Sequence, residues 1–218
     1  MNFTQNGLVA ALSTSDQRLL KSCCEATSLD AYRMLASPAN DDASVYFLVG
    51  TSVALLRDAG TRGSTAIGLV GQEGAVGLQF GLGLGPSRYS SLVQTEGTAW
   101  KVSGEVLRRL LETRPSMLLA VAQYLWASTE EMGAFAAAIQ NQPVVRRLAT
   151  WILKSHGMGS TQELRLTHSH MASMLGVRRA SISQAADQLR RSGLIDYARG
   201  RIQVIDRKRL EMISRATG

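Results

Sequence analysis

Several things are scarce in this chain of 218 residues, and each shortage removes a class of protein. There are two cysteines, the adjacent Cys23 and Cys24. Neighbouring thiols supply neither a disulfide framework nor the four thiolates of an iron–sulfur cluster. No stretch approaches the ~18 uninterrupted apolar residues of a membrane span. The opening "MNFTQNGLVAALST" has no basic n-region and only a short apolar run, so no secretory leader is expected and the cytoplasm is the predicted location. The three histidines, His156, His168 and His170, all lie in the last third of the chain. Haem ligation in the first half is therefore not expected, and the His-x-His pair at 168–170 points to solvent or phosphate rather than to zinc. "GLGLGPS" has neither the Gly-Lys-Ser/Thr of a phosphate loop nor G-x-G-x-x-G spacing, and no helix-like segment follows it. With no nucleophile–base pair or paired carboxylates in view, the chain reads as a non-enzyme, with no metal and no cofactor.

Acidic residues are scarce in one region. The net charge of the chain is +7. From Pro143 onward there are 14 Lys/Arg against 5 Asp/Glu, a net of +9, which leaves 10 against 12, a net of −2, for the first 142 residues. This asymmetry predicts two domains and a polyanionic partner for the second.

What is present divides the chain further. Residues up to about 40 read as short helices and loops anchored by Leu19, Leu20, Leu29, Tyr32, Met34 and Leu35. "SVYFLVGTSVALL" then brings β-branched and aromatic residues. Between Gly50 and Gly104 lie 12 of the 20 glycines, separating apolar segments such as "AIGLV" and "SLVQT". Short strands joined by tight turns, in a small barrel or sandwich, follow from that spacing. Ser103 then caps a helix that stops at Arg114-Pro115. Pro115 opens a second helix that nothing interrupts before Asn141, roughly 40 Å at the standard rise. Along it Leu118, Val121, Leu125, Ser128, Met132, Phe135 and Ile139 follow a 3-4 spacing, the a/d pattern of a coiled coil, and predict pairing with a second copy. "NQP" ends this helix, and "VVRRLATWILKSHG" supplies one more. The expected domains are 1–114, the helix 115–141, and 142–218.

The stretch "LTHSHMASMLGVRRASISQAADQLRRSGLI" carries the sharpest signal. Ala172 is a small residue where two helix axes would approach, Gly176 permits the turn, and Leu175, Val177, Ile182 and Ala185 fix the crossing from within. Such a pattern predicts a helix-turn-helix. The second helix, about 178–191, buries Ile182, Ala185, Ala186 and Leu189 and shows Arg178, Arg179, Ser181, Ser183 and Gln184 on its other face. Arginine and glutamine can pair with base edges, and serine and threonine suit phosphates. "LIDYARGRIQVID" reads as a hairpin about Arg199-Gly200, with Arg199 and Arg201 placed to touch phosphates.

This order of parts resembles the Crp/Fnr family of bacterial transcription regulators over nearly the full chain, most specifically over residues 166–206. The resemblance implies an α+β chain: an N-terminal β-roll (jelly-roll-like) sensor domain related to cyclic-nucleotide-binding domains, a long dimerisation helix and a C-terminal winged helix-turn-helix. It implies a homodimer, with double-stranded DNA and RNA polymerase as partners and no membrane. It places Thr167 at a phosphate contact before the first helix and Arg179 at the principal base-reading position; His168 joins the candidate DNA contacts. Ala180 stands where many members carry a base-reading glutamate, and Gln184 where a second arginine is found, so a different operator is expected. In the sensor half the family's cyclic-nucleotide site needs a Gly-Glu pair and an Arg-Ser/Thr pair. Glu73 and Arg88 are of the right type, but Gly74 and Tyr89 follow them. The chain therefore looks like a branch without a cyclic-nucleotide signature, with an unknown effector. Two alternatives remain open: a cyclic-nucleotide-gated regulator, and a dimeric effector-binding scaffold that does not bind DNA.

Overall fold

The computed structural model describes residues 2–36, 43–58, 64–158 and 163–215. Two short helices, α1 (Gly7–Ala10) and α2 (Thr14–Ser22), precede the sheets. Strands β1 (Glu25–Leu29), β2 (Met34–Ala36), β3 (Ser44–Val49), β4 (Ser52–Asp58), β5 (Ser64–Val70) and β6 (Ala75–Val76) follow, then α3 (Leu78–Gly81), β7 (Ser90–Thr95) and β8 (Gly97–Ser103). They form two four-stranded antiparallel sheets, ordered β1-β8-β3-β6 and β2-β7-β4-β5. Residues 25–36, expected as helix and loop, are mostly strand. β1 reads "EATSL" and buries only Leu29, so it carries no alternating signal; its place comes from pairing along β8, Glu25 opposite Lys101 through Leu29 opposite Gly97.

The hydrophobic run of β4 and β5 has a specific cause. Val53, Leu55 and Val70 point between the two sheets, beside Leu29, Tyr46, Leu48 and Val93. Ala54, Leu56, Ala66 and Leu69 point the other way, into the core of the C-terminal domain. Both faces of this hairpin are buried, so apolar residues occupy both phases of the period-2 alternation.

Helix α4 (Gly104–Thr113) starts where Ser103 Oγ accepts the Val106 N–H at 3.2 Å. The long helix α5 runs Pro115–Asn141 with proline in its first turn. Its start is tied to α2: the Ser116 hydroxyl donates to the buried Asp16 carboxylate at 2.6 Å. That bond, with the Arg114 guanidinium 3.7 Å away, holds the Asp16 carboxyl below its ordinary range.

The sides of α5 are unequal. Val121 is buried among the N-terminal helices, Met132 lies over Gly68, and the Phe135 ring meets Trp151 at 5.9 Å. Ser128 donates to the Tyr124 carbonyl of its own helix. These four members of the expected seam are thus occupied within the chain. Leu118, Leu125 and Ile139 are exposed, together with Leu119 and Trp126, which is 68 % exposed. The solvent-facing apolar stripe is therefore rotated toward 119 and 126. Heptad spacing alone does not reveal which flank a neighbouring domain covers.

Tyr124 explains a glycine. A Cβ on Gly74 would sit 2.0 Å from the Tyr124 hydroxyl and 2.2 Å from Cζ, so only glycine lets the ring close over the turn at 71–74. Burial there pushes the Tyr124 phenol up to about 12. Gly74→Ala is expected to cost on the order of 1–3 kcal/mol through overpacking. Thermal melts of Gly74→Ala, Tyr124→Leu and the double variant check this: the double loses less than the sum if the two side chains compete for one space.

Candidate nucleic-acid interface

The C-terminal domain is built on α6 (Val144–Met158), β9 (Glu163–Arg165), α7 (His168–Leu175), α8 (Arg179–Arg191), the hairpin β10 (Ile195–Ala198) and β11 (Arg201–Val204), and α9 (Arg207–Arg215). Its core holds Trp151, Ile152, Met171, Leu175, Ile182, Ala185, Ala186, Leu189 and Ile202. Thr167 caps α7, its hydroxyl oxygen accepting the His170 N–H at 3.2 Å. Gly176 follows α7 with φ +62°, a left-handed conformation that glycine adopts at no steric cost. Arg178 is the N-cap of α8 and makes no side-chain cap bond, so the first amides of α8 keep their partial positive charge at an exposed helix start.

This is a helix-turn-helix followed by a wing. The wing turn is a two-residue loop, with Ala198 paired to Arg201 and φ of +50° at Arg199 and +78° at Gly200. Positive φ at both positions is the type I′ geometry of tight hairpins. It leaves Arg199 and Arg201 exposed at the tip. β11 also pairs with β9, Arg201 opposite Arg165, so the wing is the middle and edge of a three-stranded sheet.

The structure sorts the expected contact residues into two groups. Arg178, Arg179, Gln184 and Thr167 are exposed or nearly so, and Ser181 is half-buried beside them. His168 and Ser183 are both half-buried and turned toward each other: His168 Nδ1 lies 2.9 Å from Ser183 Oγ, and the imidazole stacks on Tyr197 of the wing at 4.4 Å and 15°. The Ser183 hydroxyl also lies 3.1 Å from the Arg179 carbonyl of its own helix. These two side chains brace α8 against α7 and β10. Tyr197, which the sequence pattern did not single out, is the third member of that brace. Arg147 is a second residue the charge count could not sort. It is buried, and its guanidinium donates to the Leu175 carbonyl at the end of α7. Asp187 pairs with Arg190 at 3.1 Å and Arg191 at 2.7 Å, which keeps its carboxyl below the ordinary value.

The domain also rests against the first half of the chain. The Ser173 hydroxyl donates to the Ser64 carbonyl, the Tyr32 hydroxyl donates to the Arg165 carbonyl, and the Tyr32 ring meets His170 at 4.8 Å. His170 is exposed, with that tyrosine against its ring. Arg178, Arg179 and Ser181 line a groove whose opposite wall includes Thr65 and Ile139.

Of the two expected effector residues, Arg88 is exposed. Glu73 accepts the Gly71 N–H at 2.7 Å as a turn residue and lines a cavity beside α5 to which Arg88 does not contribute. Cys23 and Cys24 are free, half-buried thiols, and burial pushes Cys24 up to about 12, leaving it little thiolate. Among the described residues no group of three or more His, Cys, Asp or Glu could hold a metal ion, and no helix is long and apolar enough to cross a membrane.

Burial of the imidazole, then the charge of Arg179, lower the His168 pKa from 6.5. A base whose folded pKa is depressed binds its proton more readily when unfolded, so its contribution to stability is present above 6.5 and falls as pH drops below it. An NMR titration of His168 should therefore give a value under 6.5 that moves upward in Arg179→Ala. An unshifted imidazole would contradict the stacked, half-buried placement.

Residues 146–213 match a family model described as the Crp-like helix-turn-helix domain. Solved structures of similar fold include a CRP-family transcriptional regulator of Thermus thermophilus, at 19 % identity and TM-score 0.70, covering 87 % of this chain and 97 % of that one. FixK2 of Bradyrhizobium japonicum matches at 14 % identity and TM-score 0.71, over 89 % of this chain and 99 % of its own. The c-di-GMP-responsive global regulator CLP of Xanthomonas campestris matches at 16 % and 0.67, over 88 % and 99 %. No curated protein matches the chain. Sheets, long helix and winged domain thus share the architecture of the Crp/Fnr transcription regulators, and residues 146–213 are a Crp-like helix-turn-helix domain.

Proposed function

We propose that the chain is a homodimeric, sequence-specific DNA-binding transcription regulator of the cytoplasm, with a sensor domain at 1–114, a dimerisation helix at 115–141 and a DNA-binding domain at 142–218. One observation carries this reading. Arg178, Arg179 and Gln184 stand exposed at the start of α8, over a fully apolar underside of Ile182, Ala185, Ala186 and Leu189. A helix whose inner face is core and whose outer face is Arg and Gln at an uncapped N-terminus suits the major groove: the amides and arginines meet phosphates, and the side-chain forks meet base edges. Thr167, Arg199 and Arg201 flank it as phosphate contacts, while His168 and Ser183 hold its orientation. Two copies joined along α5 present their α8 helices to successive major grooves, roughly 34 Å apart, on a near-palindromic site. RNA polymerase is the further partner of such a regulator. Glu73 is followed by Gly74 and Arg88 by Tyr89, and Arg88 does not line the cavity on whose wall Glu73 stands, which favours an effector other than a cyclic nucleotide.

Selection of sites from a random DNA pool, with and without cyclic AMP, tests the reading. A two-fold-related motif enriched without nucleotide is the expected result; enrichment only with cyclic AMP favours the nucleotide-gated alternative, and no motif in either arm overturns DNA reading by α8. On the selected site Arg179→Ala should cost about 1–3 kcal/mol and relax one base position. Binding should also fall steeply with added salt as counterions return to the phosphates.

Dimerisation has its own check. Leu125 is 37 % exposed on the free flank of α5 beside Trp126. Leu125→Asp places a charge in the pairing face and should convert the dimer to monomer in sedimentation. An unchanged dimer would show that pairing uses another surface.

A further inference from the structure

A cavity of about 430 Å³ lies where the sensor sheet, the long helix and the DNA-binding domain meet. Its walls come from all three: Leu55, Gly68 and Val70 of the β4–β5 hairpin, Tyr124 and Phe135 of α5, and Trp151 of α6 are among them. That volume is within the range of pockets that enclose small molecules. The place is consequential, because α6 is the first helix of the DNA-binding domain and here shares a wall with the sensor sheet.

The chemistry of the walls decides what fits. Three aromatic rings, Tyr124, Phe135 and Trp151, face it with aliphatic side chains between them. Among the described residues the Trp151 indole N–H is buried without a partner, whereas several other polar groups at the edge are already paired. Ser128 Oγ donates to the Tyr124 carbonyl at 2.9 Å, and Thr150 Oγ1 to the Arg146 carbonyl at 3.0 Å. Lys154 pairs with Glu131 at 3.2 Å, and the Glu73 carboxylate accepts the Gly71 N–H. Among the described residues no arginine lines the space, and its formal charges are two carboxylates against one ammonium. An anion entering it would lose hydration and meet a net negative rim; an uncharged aromatic molecule loses little and gains apolar contact. A glycine also leaves the room open. A Cβ on Gly68 would meet only Met132 Cγ at 3.5 Å and Leu55 Cδ1 at 3.8 Å, ordinary contacts.

We propose that this junction cavity binds an uncharged aromatic small molecule, which by touching all three parts holds the DNA-binding domain in its docked position on the sensor sheet. A ligand that binds only this arrangement stabilises it by mass action. The binding step stands independently of whether α8 reads DNA, and its test does not use DNA.

The test is calorimetric titration of the full chain with indole, and with indole-3-carboxylate as its anionic counterpart. Indole should bind one per chain, and the carboxylate at least about tenfold more weakly, the ratio that ~1.4 kcal/mol of charge exclusion produces. Gly68→Leu projects a side chain into the cavity and should abolish indole binding. Ala127→Leu, on the wall from the exposed surface of α5, is the second filling variant should the first fail to fold. Trp126→Ala, which strips the free flank of α5, should leave binding unchanged and separates the cavity from the pairing face. The proposal is overturned if indole does not bind, if the carboxylate binds as well or better, or if a folded filling variant, shown by circular dichroism and melting, still binds indole like the parent. Loss of binding in Trp126→Ala would overturn it too, by moving the site to the pairing face.

Discussion

The packing of Trp151 is the contact on which the arrangement of the whole chain depends. Trp151 belongs to the first helix of the winged domain, is 2 % exposed, and meets Phe135 of the long helix and the outward face of the β4–β5 hairpin. Helices α5 and α7 also lie against β5 and join the two halves beside that packing. With it, Ala54, Leu56, Ala66 and Leu69 of the sensor share one continuous apolar cluster with Ile152, Met171, Leu175 and Ile182. Domains that share a core respond together, because a packed interior has discrete arrangements rather than a continuum of them.

That shared core restricts how the recognition face is presented. The α7 helix is held to the β5 edge through Ser173, and to the β1–β2 turn through Tyr32, whose φ of +68° marks a strained non-glycine position. The first residues of α8 border a groove closed on the far side by Thr65 and Ile139. A helix that reads bases must lie inside a groove walled by phosphate backbones on both sides. Thr65 and Ile139 sit beside the start of α8, where Arg178 and Arg179 are exposed. The internal brace of His168, Ser183 and Tyr197 keeps α7, α8 and the wing in fixed relation to one another.

Much of this was legible in the sequence, for reasons that differ by element. Helix α5 begins and ends where Pro115 and the Gln142-Pro143 pair dictate, because proline acts locally and needs no tertiary partner. The helix-turn-helix was legible because its fold is written in nearest neighbours: a small Ala172, a left-handed Gly176 and the alternation of core and arginine along α8. Strand β1 was hidden because an edge strand with one buried residue has no periodic signal. The face of α5 that meets other domains was hidden for the opposite reason. Its periodic signal is strong on two flanks, and only the fold says that Val121, Met132 and Phe135 are used within the chain while Leu125 and Trp126 are not. The stacking of His168 on Tyr197 was hidden too, because composition cannot distinguish a half-buried ring from an exposed one.

The same distinction bears on the sensor. Residue types at 73 and 88 suggested a polar ligand clamp, yet the glycine after Glu73 has a packing reason of its own, the closure of Tyr124 over the turn. A tyrosine in that position fills space beside the long helix with a ring rather than leaving it to a hydrated phosphate. The neighbouring void is then walled by Tyr124, Phe135 and Trp151, with Lys154 paired to Glu131 and the Ser128 hydroxyl bonded to its own helix. Replacing polar partners by rings changes the solvent a ligand would meet from water-like to hydrocarbon-like, and with it the class of molecule that gains by entering.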